Sequence, residues 1–93
     1  DNFNQSVDKL PESLKELEIY GEIFNRPIDK LPKTLHKLKI YVEPFNQSID
    51  HLPESLRKLK IVSNKFNCPT ENLPKNIIFE MQTYNEYLFD LYA

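Results

Sequence analysis

The sequence predicts a solenoid, a right-handed coil with a parallel sheet of short β-strands on its concave side and extended or turn structure on its convex side. A Phe-Asn pair recurs every 21 residues, at Phe3, Phe24, Phe45 and Phe66. A Leu-Pro pair recurs in step with it, at Leu10, Leu31, Leu52 and Leu73. A fixed period in this range is typical of stacked repeats. We expect one repeat domain over residues 1–93, with repeats at about 3–23, 24–44, 45–65 and 66–82 and a C-terminal helical cap at 83–93.

Each unit carries one predicted strand. Leu17 and Ile19 alternate with Glu16 and Glu18, and this period of two indicates a half-buried strand. The pattern returns at Leu38 and Ile40 and at Leu59 and Ile61. The fourth unit fits only if one residue is deleted, which makes Phe79 and Met81 its inward pair.

The connections between the strands are too short for a helix in each unit. The proline of each Leu-Pro pair lacks an N–H group, and it biases the leucine before it to an extended conformation. We therefore expect extended or single-turn structure on the convex side, with the recurring phenylalanines in the core. The asparagine after each phenylalanine lies at a corner, where its amide can satisfy backbone groups of adjacent coils.

The chain after the fourth unit predicts a helix. Thr83 and Glu86 form a capping box. Apolar residues then recur at steps of three and four, which indicates a helical stripe: Tyr84, Tyr87, Leu88, Leu91 and Tyr92. We expect a helix over residues 84–92 that lies on the last coil as a cap, with partner contact through its aromatic face as the alternative.

The first unit has no capping element ahead of it, although the terminal units of a solenoid need one. Two explanations are open: the chain is the end of a longer protein, or its open first coil meets a partner.

The bulk composition excludes several classes of function. A net charge of −2 argues against a general electrostatic binder of nucleic acid. No apolar run approaches the roughly 20 residues that span a membrane. The single cysteine, Cys68, excludes an internal disulfide and a multi-cysteine metal cluster, and a reduced intracellular compartment is expected.

No catalytic or metal site can be assembled from the sequence, and we expect neither enzyme activity nor a cofactor. His36 and His51 are the only histidines, and neither has a second ligand at metal-binding spacing. One acidic residue per coil precedes the Leu-Pro pair, at Asp8, Asp29, Asp50 and Glu71. A carboxylate there is expected to cap backbone N–H groups at a turn, and cation binding is the alternative.

The candidate binding site lies on the outward side of the strands, which forms the concave face. Its predicted partner-binding residues are Tyr20, Lys37, Lys39, Tyr41, Lys58 and Lys60. Strand stacking places like charges side by side, which is unfavourable in isolation, so an acidic surface of another protein is the expected partner. The alternative is that these lysines keep a narrow sheet soluble and block lateral pairing.

The repeat resembles the FNIP repeat, a short relative of the leucine-rich repeat. Phe24-Asn25-Arg26-Pro27-Ile28 comes closest to the motif that names the family, with Arg26 in place of Ile. The resemblance covers about residues 3–81. Thr70 departs from the motif, and so do Ser6 and Ser48, which stand where the motif has Pro. It implies a leucine-rich-repeat-like fold and a protein-interaction array without catalysis.

The family is known from social amoebae and their giant DNA viruses, sometimes behind an F-box. The resemblance therefore implies an intracellular, cytoplasmic protein and, if an F-box lies upstream, the substrate-recognition part of an F-box-type adaptor. A structural segment that docks on a neighbouring chain through its open first coil is the alternative.

Overall fold

The structure is a computed structural model and describes residues 4–93. Its four strands form one parallel sheet in chain order. They are β1 (Glu16–Gly21), β2 (Lys37–Val42), β3 (Lys58–Val62) and β4 (Ile78–Gln82), and the helix α1 (Tyr84–Tyr92) follows. The predicted solenoid is confirmed. Phe3, at which the first repeat was expected to begin, lies outside the described residues.

The register of the sheet follows the sequence period. Glu16 pairs with Lys37 and Lys37 with Lys58, each 21 residues on, whereas Lys58 pairs with Ile78, only 20 residues on. The deletion of one residue in the fourth unit is therefore confirmed. Asn76 lies just before this strand with a φ of 61°, a left-handed conformation that asparagine tolerates better than most residues.

The core lies inside the coil and is best packed in the two middle units. The inward strand residues Leu38, Ile40, Leu59 and Ile61 are fully buried. Burying a side chain of this size stabilises the fold by about 1.5–3 kcal/mol. The phenylalanine rings stack along the opposite side at centroid spacings of 6.2 Å, in the order Phe24, Phe45 and Phe66.

Several apolar residues of the first and last coils are only half-buried, because each of these coils has a neighbour on one side, whereas Val7 and Ile19 of the first coil are buried. The half-buried ones are Leu10, Leu14 and Leu17 at one end, and Phe66, Leu73, Ile77 and Phe79 at the other.

The convex side consists of short turns, as predicted. In the first three Leu-Pro pairs, the N–H group three positions after the proline donates to the proline carbonyl at 3.1–3.2 Å, in Leu14 to Pro11, Leu35 to Pro32 and Leu56 to Pro53. Hydroxyl groups then link adjacent coils. Thr34 Oγ1 donates to the carbonyls of Glu12 and Leu14 at 2.7 Å, so the turns are tied together along the stack.

The helix α1 begins as predicted. Thr83 Oγ1 accepts from the Glu86 N–H, and the Glu86 carboxylate accepts from the Thr83 N–H, both at 3.0 Å. Asn64, on the preceding coil, adds a second cap, because its Oδ1 accepts from the N–H groups of Tyr84 and Asn85 at 2.8 and 3.3 Å. These bonds join the start of the helix to the turn that follows β3.

The helix reaches further than the last coil, on which the sequence placed it. Gln82 Nε2 donates to Asp90 at 2.7 Å, which ties α1 to the end of β4. The Tyr87 ring, however, packs on the ring of Tyr41 in β2, with centroids 5.1 Å apart. One residue separates β4 from α1, so the chain turns back over the sheet. Leu91 and Tyr92, expected in the contact stripe, are exposed.

Candidate functional site

The outward residues of the four strands form three rows across the concave face. The first row is Glu16, Lys37, Lys58 and Ile78; the second is Glu18, Lys39, Lys60 and Glu80; the third is Tyr20, Tyr41, Val62 and Gln82. All six predicted site residues lie in these rows.

The four lysines form a two-by-two patch on the central strands β2 and β3, and we call it the lysine patch. Adjacent strands lie about 4.8 Å apart, so Lys37 lies beside Lys58 and Lys39 beside Lys60. All four side chains are half-buried. Like charges at this distance repel each other, and the patch is therefore a concentrated positive site.

Glutamates frame the lysine patch on both edge strands. Glu16 and Glu18 lie on β1, and Glu80 lies on β4. The Lys58 ammonium is 3.9 Å from the Glu80 carboxylate. Four lysines thus face three glutamates, so the positive potential is confined to the middle of the face.

Two tyrosine rings lie side by side in the third row. The Tyr20 and Tyr41 rings stack with centroids 4.6 Å apart and planes 2° from parallel, and the Lys60 ammonium lies 5.7 Å from the Tyr41 centroid. Tyr87 covers Tyr41, which is 8% exposed, whereas Tyr20 at the edge is 48% exposed. Of the two predicted tyrosines, Tyr20 is therefore the one that solvent reaches.

The tyrosine hydroxyls are held in their neutral form. The Tyr20 hydroxyl donates to a Glu18 carboxylate oxygen at 2.8 Å, and this bond, with partial burial, raises the pKa of Tyr20 to about 12. Burial raises the pKa of Tyr41. Both groups act as hydrogen-bonding and packing groups at neutral pH.

Comparison with known proteins agrees with this geometry. The FNIP Repeat family model matches residues 2–41. CroV588, a giant-virus protein whose structure is described as a novel circular LRR (leucine-rich repeat) protein, superposes with a TM-score of 0.56 and 29% identity over 89% of this chain. These two matches support an FNIP/LRR-like repeat protein. The chain spans 16% of the CroV588 chain. No curated protein matches it.

The corner asparagine of each FNIP unit links successive coils, as the sequence predicted. The N–H of Asn46 donates to Asn25 Oδ1 at 2.9 Å, and the N–H of Asn67 donates to Asn46 Oδ1 at 3.0 Å. The next residue adds a second bond, since Gln47 Nε2 donates to the Asn25 carbonyl and Oδ1 at 2.9 and 3.0 Å. We call this arrangement the corner ladder.

The acidic column of the FNIP units is organised differently from the expectation. The N–H groups of Asp8 and Asp50 donate to the hydroxyls of Ser6 and Ser48, both at 3.2 Å. The serines that replace the family's proline thus cap these turns. Residues 4–93 contain no group of three or more His, Cys, Asp or Glu that could hold a metal ion. The same residues include no helix long and apolar enough to cross a membrane.

Two features of the FNIP array were not predicted from its sequence. Val62 takes an outward position in the third row, beside Tyr41, but it is fully buried. Asn64 was not assigned any role, yet it caps α1. The signal was present: Tyr41 and Val62 place large apolar groups at outward positions of adjacent strands, and such a surface needs a cover.

Proposed function

We propose that this FNIP-type solenoid is a non-catalytic protein-interaction module whose concave face binds an acidic surface of another protein. The observation that carries the proposal is the lysine patch of Lys37, Lys39, Lys58 and Lys60, gathered on the two central strands. Tyr20 and the covered Tyr41 border it on one side. Protein carboxylates are complementary to such a patch, and electrostatic complementarity favours specificity and association rate.

The position of the lysines supports binding over a protective role. Charged residues that prevent lateral pairing act on edge strands, whereas β2 and β3 each have a neighbour on both sides. The edge strand β1 carries Glu16 and Glu18 instead. Lysines abreast in the middle of a sheet repel each other and add nothing to edge protection, so a bound anionic group is the simplest reason for them.

The experiment compares the partners captured by two variants of equal charge. The first replaces Lys37, Lys39, Lys58 and Lys60 by Gln. The matched control replaces four exposed lysines elsewhere, which are Lys9, Lys30, Lys33 and Lys65. Glutamine removes the charge without adding repulsion, and circular dichroism checks that both variants fold.

Nuclease-treated amoebal lysate is passed over each immobilised protein, and the captured proteins are identified by mass spectrometry. We expect wild type and the control to retain a common partner that the patch variant loses. Equal retention by all three proteins refutes the concave-face proposal. An F-box-type adaptor role is an extension of this proposal that rests on family resemblance. If it holds, full-length chains that contain this array are expected to co-purify with ubiquitin-ligase subunits.

A second candidate function is structural: the first coil docks on a neighbouring chain. Its support is the half-buried state of Leu10, Leu14 and Leu17, and the matched structure, described as circular, is a longer array of related fold.

A further inference from the structure

The glutamates around the lysine patch neutralise it only in part. The register places Glu18 beside Lys39, yet the Glu18 carboxylate accepts a hydrogen bond from the Tyr20 hydroxyl at 2.8 Å. Among residues 4–93 one ion pair forms on this face, and it joins Lys58 to Glu80 at 3.9 Å. The other three lysines of the patch have no carboxylate partner within those residues, so their ammonium groups are available to an anion.

The spacing of the four lysines suits one compact anion. Neighbouring strands lie about 4.8 Å apart, and two residues along a strand span about 6.6 Å. The four side chains therefore rise from the corners of a rectangle whose centre lies about 4 Å from each corner. An anion above this centre can accept hydrogen bonds from several ammonium groups at once, at the usual length of about 2.7–2.9 Å.

The chemistry of the patch favours a phosphoryl group over a carboxylate. A phosphorylated side chain carries a charge of about −1.5 to −2 at pH 7 and three strong acceptor oxygens, whereas a carboxylate has a single charge and two oxygens. Lysine binds phosphate as a point charge, and the planar fork of arginine is the group that matches a planar carboxylate with two parallel bonds. The three rows of the concave face contain no arginine. Arg26 and Arg57, the two arginines of the chain, donate to backbone carbonyls instead.

The glutamates on β1 and β4 limit the size of the anion. Glu16 and Glu18 lie on one side of the lysine patch and Glu80 lies on the other, so the positive area is only two strands wide. A broad acidic surface would place further carboxylates over these glutamates, and like charges repel each other. One doubly charged group at the centre meets the lysines alone.

We propose that the lysine patch binds a phosphorylated side chain of a protein partner, whose phosphoryl oxygens accept from the ammonium groups of the four lysines. This inference rests on the proposed function, and it narrows the acidic surface of the partner to one that carries a phosphoryl group. Glu80 competes with that group for Lys58. Tyr20, with its exposed ring in the next row, offers a contact for a neighbouring residue of the partner.

Peptide pools test the phosphoryl group directly. Three fluorescent pools share the same randomised flanks and carry phosphoserine, glutamate or serine at the central position. Their affinities are measured by fluorescence anisotropy at one salt concentration, for wild type and for the two four-lysine variants of the capture experiment. We expect wild type and the control variant to bind the phosphoserine pool about tenfold more tightly than the glutamate pool. The patch variant is expected to lose this preference. Equal affinity of wild type for the two pools overturns the inference, as does a preference that survives in the patch variant.

Two single substitutions of equal charge test where the phosphoryl group lies. Glu80→Gln removes the carboxylate that competes for Lys58, and it is expected to tighten binding of the phosphoserine pool about threefold. Glu71→Gln makes the same charge change at an exposed turn outside the sheet, and it is expected to leave the affinity unchanged. Equal affinities of the two variants contradict a phosphoryl group beside Lys58.

Phosphatase treatment of the lysate separates failure of this inference from failure of the proposed function. A partner that wild type captures from both treated and untreated lysate, and that the patch variant loses, is acidic without a phosphoryl group. In that case the proposed function stands and the phosphoryl inference falls. A partner that all three proteins retain refutes the concave-face proposal itself. Binding to phosphatidylcholine vesicles that contain phosphatidylinositol bisphosphate, without a preference for the phosphoserine pool, overturns the inference in favour of a membrane surface.

Discussion

Removing the Tyr87 ring tests whether α1 is held on the concave face by its contact with Tyr41. Tyr87 is half-buried and packs against Tyr41 and Tyr84, at centroid distances of 5.1 and 5.7 Å. A tyrosine buries about 150–250 Å² when fully covered. Half of that area, at about 25 cal/mol per Å², contributes about 2–3 kcal/mol, and the aromatic pair adds about 0.5–1.5 kcal/mol.

Tyr87→Ala is therefore expected to weaken docking of α1 by about 2.5–4.5 kcal/mol. An isolated helix of nine residues is marginal in water, so the undocked helix melts. Hydrogen exchange is the assay, and protection of the helix amides is expected to fall about thirtyfold or more. Phe89→Ala is the control, because that ring is 75% exposed on the same helix. Unchanged protection in Tyr87→Ala, or an equal loss in Phe89→Ala, refutes the reasoning.

Three other predictions concern the stack and its charges. Phe45→Ala is expected to cost about 3–5 kcal/mol of unfolding free energy in urea denaturation, because both of its faces are stacked; Phe66→Ala, at a half-buried site, is expected to cost less. The bond from the N-cap N–H lowers the pKa of Glu86, so its support of α1 is present at neutral pH and is lost as pH falls through the lowered pKa. Circular dichroism is expected to show this acid step in wild type and not in Glu86→Gln. Tyr20, with a pKa of about 12, stabilises the fold below pH 10 and loses this effect as pH rises through 12; ultraviolet titration of Glu18→Gln is expected to return it toward 10.

The repeat was predictable from the sequence because its signals are local and redundant. A phenylalanine, an asparagine and a Leu-Pro pair recur at fixed spacing, and stacking then determines the register without further information. Even the deletion before Phe79 followed from the period-two pattern. The rows of the concave face were predictable for the same reason, since outward positions are set by alternation alone.

The position of α1 was not predictable in this way. An amphipathic stripe indicates that a helix has a contact face, but it does not say which surface that face meets. Here the helix packs on Tyr41, an outward residue of the sheet, through the ring of Tyr87. The role of Ser6 and Ser48 was missed because a hydroxyl and a carboxylate can both cap a turn, and only the backbone geometry selects between them.

The two proposed binding surfaces differ in how their affinity for a partner responds to salt. On the concave face, α1 covers Tyr41 through the ring of Tyr87. What remains accessible is the lysine patch, its framing glutamates and Tyr20. The first coil, the surface of the second candidate function, instead offers half-buried leucines. The Debye length falls from about 10 Å at 0.1 M salt to about 3 Å at 1 M, so partner capture on the lysine patch is expected to decline steeply over this range. Docking of the first coil on a neighbouring chain is expected to persist, because burial of apolar surface is not screened by salt. Partner capture measured along one salt series therefore assigns each association to its surface, and first-coil docking that is lost at 1 M salt would contradict an apolar contact.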